Sequence, residues 1–439
     1  MIRKLLLVAF LGLVAAWVAP AQAMTIQRIV SPSGIEAWLV HESATPLVAM
    51  AYAFSGGSAQ DPAEKAGLAN FVSDMLDEGA GNLDSKTFHE RLENHAIEMN
   101  FRVSRDYFTG SLRALTEHRD EAFGLLHLAL ASPRFDADAI ERVRMQELSN
   151  IRRASTSPNE IAGKLWWRTA FPGHPYGPPI EGEADTIQRI AGGDMHDYVR
   201  RVFARNALKI AIVGDVDAAT AGKLIDKAFA SLPAASDLRP VPQVAMQGLG
   251  KTLVTKVDVP QAVVDFGSPG LARHDPDFMA GYIVNHILGG GSFSSRLYRE
   301  VREKRGLAYG VSENLVWLRN TAILLGGTAT RADRTGDAIK IIESETKRMA
   351  AEGPTAEELA KAKSYLKGAY ALGLDTSSKI AAQLVQIQLD DLGIDYIDKR
   401  EGMIDAVTLD DARRVAKRLF GDGMLVTVAG EPKGVVSTE

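Results

Sequence analysis

The sequence predicts an α+β protein made of two homologous domains, each a largely antiparallel sheet with helices packed on one face. Three observations lead to this prediction. Short apolar runs alternate with longer stretches of helical periodicity, a segment near the middle of the chain has the composition of a linker, and a helix–strand–glycine pattern occurs on both sides of that segment. With 439 residues, the chain is long enough for two domains.

The individual elements are predicted from hydrophobic periodicity. Residues 37–41 and 47–54 are largely apolar runs of strand length. Residues 121–130, 139–153 and 337–351 place their apolar side chains three to four positions apart, which is typical of amphipathic helices. These stretches are therefore predicted to be strands and helices, respectively.

A further helix is predicted to begin after residues 353–355, which read Gly-Pro-Thr. Thr355 can accept a hydrogen bond from the first turn, and Glu358 follows at the spacing of a capping box.

The duplication is predicted from two similar stretches about one domain length apart. Residues 197–216 run from an amphipathic helix into an apolar strand that ends at Gly214. Residues 412–432 repeat this order, and their strand ends at Gly430. One matching segment of this kind indicates duplication of a domain rather than a solenoid repeat.

The domain boundaries follow from the central segment, residues 231–248, which is rich in Pro, Ala and Ser and has little helical or strand period. We predict a signal peptide over residues 1–23, an N-terminal domain over 24–230, this linker, and a C-terminal domain over 249–439. Each domain would contain about 200 residues, an ordinary size for an α+β domain.

The N-terminus has the pattern of a secretory signal peptide. Arg3 and Lys4 precede an apolar run over residues 5–19, and residues 21–23 read Ala-Gln-Ala, a small-x-small cleavage site. The run is short for a membrane span, which needs about 20 residues, although an uncleaved anchor is the alternative. The sequence therefore predicts a periplasmic protein, cleaved near Ala23 and free of the membrane.

Composition excludes several classes of function. The chain contains no cysteine, so a thiolate nucleophile, a cysteine-ligated metal and disulfide bonds are excluded. The formal net charge is only −5, which gives no indication of a nucleic-acid-binding surface.

One motif stands in residues 56–81, which read GGSAQDPAEKAGLANFVSDMLDEGAG. This stretch resembles the zinc-helix region of the pitrilysin (insulinase) metallopeptidase family, in which a glycine-rich turn leads into a helix with the motif H-x-x-E-H. Gly67, Leu68 and Ala69 fit that pattern, but Asn70, Ser73 and Asp74 stand at the motif positions.

These replacements remove the chemistry of a zinc site. Residues at i, i+3 and i+4 share one helix face, and in the family they supply two imidazoles and a carboxylate. Here they supply an amide, a hydroxyl and one carboxylate, and the nine histidines form no H-x-x-E-H or H-E-x-x-H pair. The resemblance therefore implies a chain that binds no zinc of its own.

Two alternatives remain for the polar residues of this helix. They form the solvated or cavity-facing side of an amphipathic helix, or they form an oxygen-rich site for a hard cation, with Asn70, Asp74 and Glu147 as ligands. Glu147 is the nearest candidate for the third zinc ligand of the family, which lies on another helix.

A second motif lies in residues 288–310, which read LGGGSFSSRLYREVREKRGLAYG. It resembles the segment of the family's C-terminal domain in which an Arg and a Tyr bind substrate. Arg302 and Tyr309 match this pair. The resemblance implies that Tyr309 donates a hydrogen bond to the oxyanion and that Arg302 holds the peptide backbone. Without that match, the two would be read as a surface charge and a strand residue.

The three glycines 289–291 begin this second motif. No Gly-Lys-Ser/Thr follows them, so they do not indicate a phosphate-binding loop. They are similar to a shortened form of the glycine-rich loop in the non-catalytic subunit of a processing peptidase of this family, and they are predicted to form a turn after a helix.

Together, the resemblances imply a non-catalytic subunit of a heteromeric bacterial member of the family, similar to its processing-peptidase-like branch. The expected partner is a paralogous subunit that carries H-x-x-E-H and zinc, and the two chains are expected to form a clamshell-like heterodimer. The expected substrates are peptides or unfolded proteins, and the isolated chain is expected to be inactive. The alternative is a non-enzymatic scaffold or peptide-binding protein of the same fold.

Overall fold

The computed structural model describes residues 24–438. The predicted signal peptide, residues 1–23, lies outside the described residues.

The first half of the chain forms a six-stranded sheet with the strand order β1-β2-β8-β3-β7-β6. Neighbouring strands are antiparallel except for β2 and β8, which are parallel. Strand β6 forms one edge. The strands are β1 (Gln27–Val30), β2 (Glu36–His41), β3 (Leu47–Ser55), β6 (Glu98–Val103), β7 (Tyr107–Leu115) and β8 (Leu208–Gly214), with a separate ribbon of β4 (Gly79–Ala80) and β5 (Leu83–Asp84).

The second half forms a five-stranded sheet with the order β11-β12-β10-β13-β9. Its only parallel pair is β13 with β9. The order matches the first sheet if β9, β13, β10, β12 and β11 correspond to β2, β8, β3, β7 and β6. The strands are β9 (Thr252–Thr255), β10 (Gln261–Pro269), β11 (Ala308–Trp317), β12 (Ala322–Arg331) and β13 (Leu425–Ala429). The predicted pair of homologous α+β domains is confirmed.

The glycine at the end of β8 and the glycine that follows β13 have the same backbone conformation, as expected for duplicated domains. Gly214 and Gly430 both have φ of 145°. A Cβ at Gly214 would lie 2.2 Å from the carbonyl oxygen of Leu47, and one at Gly430 would lie 2.8 Å from the Cβ of Ala262. Both positions therefore require glycine, because the backbone conformation and the close neighbouring strand each exclude a side chain.

Helices cover the sheets of both halves. In the first half they are α1 (Leu68–Ser73), α2 (Ser85–Asn94), α3 (Arg119–Ala131), α4 (Ala137–Ala154), α5 (Pro158–Ala170), α6 (Ala184–Gln188), α7 (Gly192–Val202) and α8 (Ala218–Phe229). In the second half they are α9 (Phe278–Asn285), α10 (Arg296–Tyr298), α11 (Thr335–Glu352), α12 (Ala356–Leu372), α13 (Ser377–Leu389), α14 (Tyr396–Ala406) and α15 (Leu409–Phe420). Helices α9 and α10 each continue into a π-helical turn, His286–Gly290 and Arg299–Glu303.

Each half also lends one helix to the sheet of the other. Helix α5 packs on β10 and β13, and the Thr427 hydroxyl donates to the carbonyl of Ala162 at 3.0 Å. Helix α13 packs on β3 and β8, and the Gln388 amide donates to the carbonyl of Ile210 at 2.9 Å. The structure thus adds one helix from the opposite half to the predicted layer of helices on each sheet.

Strand β3 explains how this exchange is encoded. Met50 and Phe54 face the helices of the first half, whereas Ala51 and Ala53 belong to the apolar cluster that includes Leu384 of α13. Because successive residues of a strand point to opposite faces, an uninterrupted apolar run fits a strand that is covered on both sides.

The predicted strands and helices are confirmed, and their ends lie within two residues of the ends in the structure. Thr355 caps α12 with a complete capping box that includes Glu358. One detail is wrong: Gly289 and Gly290 lie inside the π-helical turn rather than in a turn after the helix. A Cβ at Gly289 would lie 2.7 Å from the Cβ of Glu313, so close packing against β11 explains the glycine.

The segment between α8 and β9 contains no helix or strand. Its side chains pack on both halves: Val241 and Met246 belong to the apolar cluster around Trp166 of α5 and Leu425 of β13. None of the helices within residues 24–438 has the length and apolar character needed to cross a membrane.

Candidate functional site

Helix α1 carries the three residues at the zinc-motif positions, and its start is fixed by Asp61. The Asp61 carboxylate accepts hydrogen bonds from the backbone N–H groups of Gly67 and Ala69, both at 3.0 Å. Gly67 has φ of 98°, and a Cβ there would lie 2.7 Å from the carbonyl oxygen of Glu181. The sequence Gly-Leu-Ala thus places the helix tightly against the loop before α6.

The three motif residues bond chiefly to one another. The Asn70 amide donates to the carboxylate of Asp74 at 3.2 Å. The Ser73 hydroxyl is buried and donates to the backbone carbonyl of Asn70 at 2.7 Å. The donor groups of Asn70 and Ser73 are therefore directed to oxygens of their own helix.

Two of the three motif residues, Ser73 and Asp74, line a cleft of about 390 Å³, which we call the first cleft. Ser73 at the end of α1 lines it together with Asp74 and Asp77, which lie in the turn that follows α1. Asn100 lines it from the edge strand β6, and Glu147 lines it from α4. The structure thus brings the candidate third-ligand position, Glu147, into the same cleft as the motif positions, although α4 begins more than sixty residues later in the chain.

Burial and like charges hold the carboxylates of the first cleft toward their neutral forms. Asp74 reaches solvent, yet desolvation by the surrounding protein and the charges of Glu147 and Asp77 raise its pKa to about 7. Burial also raises the pKa of Glu147, whose carboxylate accepts a hydrogen bond from the Asn150 amide at 3.0 Å. A bound cation would have the opposite effect on such groups.

The residues of the first cleft do not fit a zinc ion. Zinc sites of this kind need two imidazoles and a carboxylate, whereas this face offers an amide, a hydroxyl engaged with the backbone, and Asp74. Within residues 24–438, no group of three or more His, Cys, Asp or Glu side chains is arranged to hold a metal ion. The cation-site alternative for Asn70, Asp74 and Glu147 therefore gains no support from the geometry.

The Arg/Tyr segment of the second half has a different character. Tyr309 lies on the edge strand β11, next to an irregularity in the pairing between Ala308 and Val311. Its side chain is 85% exposed, the largest exposure among the large apolar and aromatic side chains of the described residues. The Arg302 guanidinium lies 4.5 Å from the centre of the Tyr309 ring, a cation–π contact that orients both side chains.

The neighbouring basic residues Lys304 and Arg305 form ion pairs with a buried glutamate. Lys304 and Arg305 both form ion pairs with the buried carboxylate of Glu300, at 2.7 Å. Desolvation by burial raises the pKa of Glu300, but hydrogen bonds from Lys304 and Arg305 outweigh this effect and lower the pKa to about 2. Arg302 has no carboxylate within 4 Å in the part of the chain that the structure describes. The geometry therefore distinguishes Arg302 from the other cations of this stretch.

Tyr298 was not singled out by the sequence pattern. It is buried beneath the guanidinium of Arg302, whose central carbon lies 4.9 Å from the Tyr298 ring centre. A tyrosine four positions before the arginine, on the same helical face, is the signal that could have indicated this contact. Arg302 is thus held between two aromatic rings.

The structure brings the predicted site residues together in two groups. Asn70, Ser73 and Asp74 lie together in the first half, and Arg302 and Tyr309 lie together in the second half. No hydrogen bond or ion pair joins the two groups within the described residues. The first group is engaged with itself, and the second presents donors to solvent.

Comparison with known proteins relates both halves to one family. The insulinase (peptidase family M16) sequence profile matches residues 37–184, and the peptidase M16 inactive domain profile matches residues 189–366. The chain belongs to peptidase family M16. The resemblance to the pitrilysin (insulinase) family is confirmed, and the findings support a non-catalytic member of M16.

The M16 chain has relatives along nearly its whole length. It is 26% identical over 422 residues to a protein named uncharacterized zinc protease SCO5738 of Streptomyces coelicolor, covering 93% of this chain and 90% of the relative. It is 27% identical over 375 residues to the non-peptidase homolog YmxG of Helicobacter pylori, covering 85% of each.

Solved structures share the fold of this M16 chain. The crystal structure of a peptidase M16 inactive domain from Pseudomonas fluorescens is similar with a TM-score of 0.87 and 25% identity, over 95% of this chain and 99% of that one. A protease from Helicobacter pylori is similar with a TM-score of 0.83 and 20% identity, over 92% of this chain and 99% of that one, which concerns the fold alone.

Proposed function

We propose that this M16 chain is the non-catalytic subunit of a periplasmic zinc metalloendopeptidase that degrades peptides or unfolded proteins. Its partner is a paralogous chain that carries H-x-x-E-H and the zinc ion. This chain supplies Arg302 and Tyr309 to the active site that the two subunits share. The proposal treats residues 24–230 and 249–439 as its two domains, joined by the linker 231–248.

The first support is the chemistry of the first cleft. A peptidase of this family needs a metal-bound water and a carboxylate base, and the three motif positions supply neither imidazole nor a glutamate. The Ser73 hydroxyl donates to its own helix, and Asp74 is partly protonated near neutral pH because its pKa is about 7. This chain alone therefore lacks the groups for hydrolysis by the family's mechanism.

The observation that carries the proposal is the exposure of an oriented Arg/Tyr pair. Tyr309 is 85% exposed although tyrosine is ordinarily buried in large part, and Arg302 is fixed beside it by two ring contacts. A pair that served only the fold would bury the ring or pair the cation. Here the phenol and the guanidinium remain available to a ligand.

The chemistry available to this pair suits an amide undergoing attack. When a carbonyl becomes tetrahedral, negative charge develops on its oxygen, and the Tyr309 O–H would donate a hydrogen bond to it. Arg302 presents a permanently charged, planar set of N–H donors that would hold a neighbouring peptide carbonyl. Strands β6 and β11 are sheet edges, so their free backbone groups would bind substrate as an added strand.

Metal analysis and hydrolysis assays on the mature chain, with and without the partner, test this proposal. The chain alone should contain no zinc after dialysis and should not cleave a fluorogenic peptide. Addition of the H-x-x-E-H paralogue from the same organism should produce zinc-dependent cleavage. A partner variant with its motif Glu changed to Gln is the control, and it should bind this chain without producing cleavage. Stoichiometric zinc and hydrolysis by this chain alone would contradict the proposal.

The second candidate is a non-enzymatic scaffold or peptide-binding protein, which fits the name of the relative called a non-peptidase homolog. In that case the paralogue should cleave peptide equally fast with and without this chain. A dependence of the rate on this chain excludes a purely structural role.

A further inference from the structure

A second cleft lies in the C-terminal half, at the position that corresponds to the first cleft. The first cleft lies between α1, the helix after β3, and α4, the second helix after the β6–β7 hairpin. The second cleft lies between the π-helical turn His286–Gly290, which follows β10 and α9, and α12, the second helix after the β11–β12 hairpin. Its volume is about 640 Å³. Both halves thus have a cleft beside the second helix after the hairpin, although the edge strand β6 lines the first cleft and its counterpart β11 does not line the second.

Aromatic side chains line the second cleft and remain open to solvent. Phe293 is 72% exposed and Tyr365 is 58% exposed, which is unusual for side chains that otherwise favour burial. His286 lies at the base, stacked on Tyr365 with ring centres 5.0 Å apart and an interplanar angle of 24°. His286 covers one face of Tyr365, and the remaining surfaces of the Tyr365 and Phe293 rings are open to solvent.

The second cleft contains charges of both signs, and one of its carboxylates, Glu303, forms no ion pair within the described residues. Glu303, Glu357 and Glu358 line it against Arg299 and Lys361. Lys361 pairs with Glu357 at 2.6 Å, and Glu358 pairs with Arg296, also at 2.6 Å.

Arg299 approaches both Glu300 and Glu358, at 4.0 and 3.9 Å. Glu303 is exposed and has no ion-pair partner within residues 24–438. Burial lowers the pKa of His286, so its ring is neutral near pH 7 and adds no positive charge.

A continuous series of contacts joins this cleft to the Arg/Tyr pair. The Phe293 ring packs edge-on against Tyr298 at 5.0 Å, Arg302 lies over Tyr298, and Arg302 also lies over Tyr309. Glu303 follows Arg302 on the π-helical turn Arg299–Glu303. Such turns occur often at functional sites because they direct adjacent side chains to different surfaces. One extended peptide could therefore contact both the pair and the cleft.

We propose that the second cleft is a specificity subsite for a basic side chain, Arg or Lys, of a peptide bound at Arg302 and Tyr309. Phe293 and Tyr365 supply the faces on which the cation stacks, and Glu303 supplies its counter-charge. The subsite deepens the proposed function and rests on it for its physiological role. A cation placed against aromatic faces and one free carboxylate accounts for the exposure of all three side chains.

Equilibrium binding of two labelled peptides to the purified mature chain tests this proposal without any partner. The peptides are extended and identical except for one central position, which is arginine in one and citrulline, its uncharged analogue, in the other. Fluorescence anisotropy should show that the arginine peptide binds about tenfold more tightly. Glu303→Gln should reduce the difference to less than about twofold, and Tyr365→Ala should weaken binding of the arginine peptide by about fivefold.

Glu401→Gln, an exposed glutamate on α14 that does not line the cleft, is the matched control and should keep the preference. Equal affinity for the two peptides, absence of binding to both, or an unchanged preference in Glu303→Gln would each overturn the subsite. Because no cleavage is measured, these results are separate from the partner-dependent hydrolysis that tests the proposed function.

Discussion

Helix α1 lies between β3 and β6, and Arg302 and Tyr309 follow β10, the strand that corresponds to β3, yet the two regions use their polar groups in opposite ways. On α1, Asn70 bonds to Asp74 and Ser73 bonds to the helix backbone. In the second half, Arg302 is held by aromatic rings alone and Tyr309 projects into solvent. A side chain that the protein itself does not use is the better indicator of a ligand or partner.

Electrostatics sharpen this difference. In the first cleft, the surrounding protein desolvates Asp74 and the charges of Glu147 and Asp77 repel its carboxylate, so its pKa rises to about 7. In the second half, Glu300 is neutralised by Lys304 and Arg305, which leaves Arg302 as the cation free of that network. The first region thus contains carboxylates close to one another without a compensating cation, and the second contains a cation without a paired carboxylate.

The largest expected effect comes from rebuilding the missing motif. The variant Asn70→His/Ser73→Glu/Asp74→His should bind zinc, because Glu147 already lines the same cleft as a third ligand. Affinity should rise by about a thousandfold or more over the unaltered chain, measured by competition with a chromogenic chelator. The same variant with Glu147→Gln is the control and should lose most of the gain. A folded triple variant that binds no zinc would show that the surrounding helices also differ from those of a zinc-binding family member.

One glycine in each region has a positive φ, and the two are expected to differ in their effect on stability. Gly67→Ala should lower the free energy of unfolding by about 2 to 4 kcal/mol, because φ is 98° and the new methyl would meet the carbonyl of Glu181. Gly306→Ala should cost about 1 kcal/mol, since φ is 58° but no atom lies within 4 Å of the new methyl. Urea unfolding measures both, and equal losses would contradict the packing described for α1.

Arg302 and Arg305 are expected to fail in different assays. Arg302→Ala should lower kcat/KM of the reconstituted pair by about tenfold and change stability by less than about 1 kcal/mol. Arg305→Ala should cost about 1 to 2 kcal/mol of stability, because the buried Glu300 loses one hydrogen-bonded cation, and should leave most of the activity. The reverse pattern would mean that Arg305, not Arg302, serves the substrate.

The smallest effect concerns pH and Asp74. Its folded-state pKa lies above that of the unfolded chain, so the folded state binds the proton more tightly and stability falls as pH rises from about 4 to about 7. Asp74→Asn should therefore be more stable than the unaltered chain above about pH 7 and nearly equal near pH 4. Since the carboxylate also reaches solvent, we expect at most about 1 kcal/mol.

Chemical unfolding at several pH values measures this difference. Asp398→Asn, an exposed aspartate on α14, is the matched control and should show no such trend. A stability gain for Asp74→Asn that is independent of pH would contradict the assignment.

Much of the fold could be predicted because local patterns determine it. The capping box at Thr355 and the paired glycines at 214 and 430 are signals confined to a few residues, and the structure confirms the elements that they indicate. The exchange of α5 and α13 between the halves was not predicted. This exchange depends on which distant helix covers the second face of each sheet. The unbroken apolar run of β3 indicates only that both faces of the strand are covered.

The candidate sites divide in the same way. Arg302 and Tyr309 were predicted because residues 288–310 resemble the family segment that carries an Arg/Tyr pair, and the structure brings the two side chains into contact. The second cleft could not be predicted from the sequence pattern, since Phe293, Glu303 and Tyr365 come from a 3-10 helical turn, a π-helical turn and an α-helix. Only the packing of these elements shows that the three side chains share one opening.

If this chain completes the active site of a partner, as we propose, the Tyr309 hydroxyl should contribute to the rate of cleavage. In a complex of this chain with its H-x-x-E-H paralogue, Tyr309→Phe removes one hydroxyl that no side chain of the described residues uses. We expect kcat to fall about tenfold or more, with assembly of the complex and KM nearly unchanged. An unchanged kcat in the assembled complex would contradict it and leave the chain a scaffold.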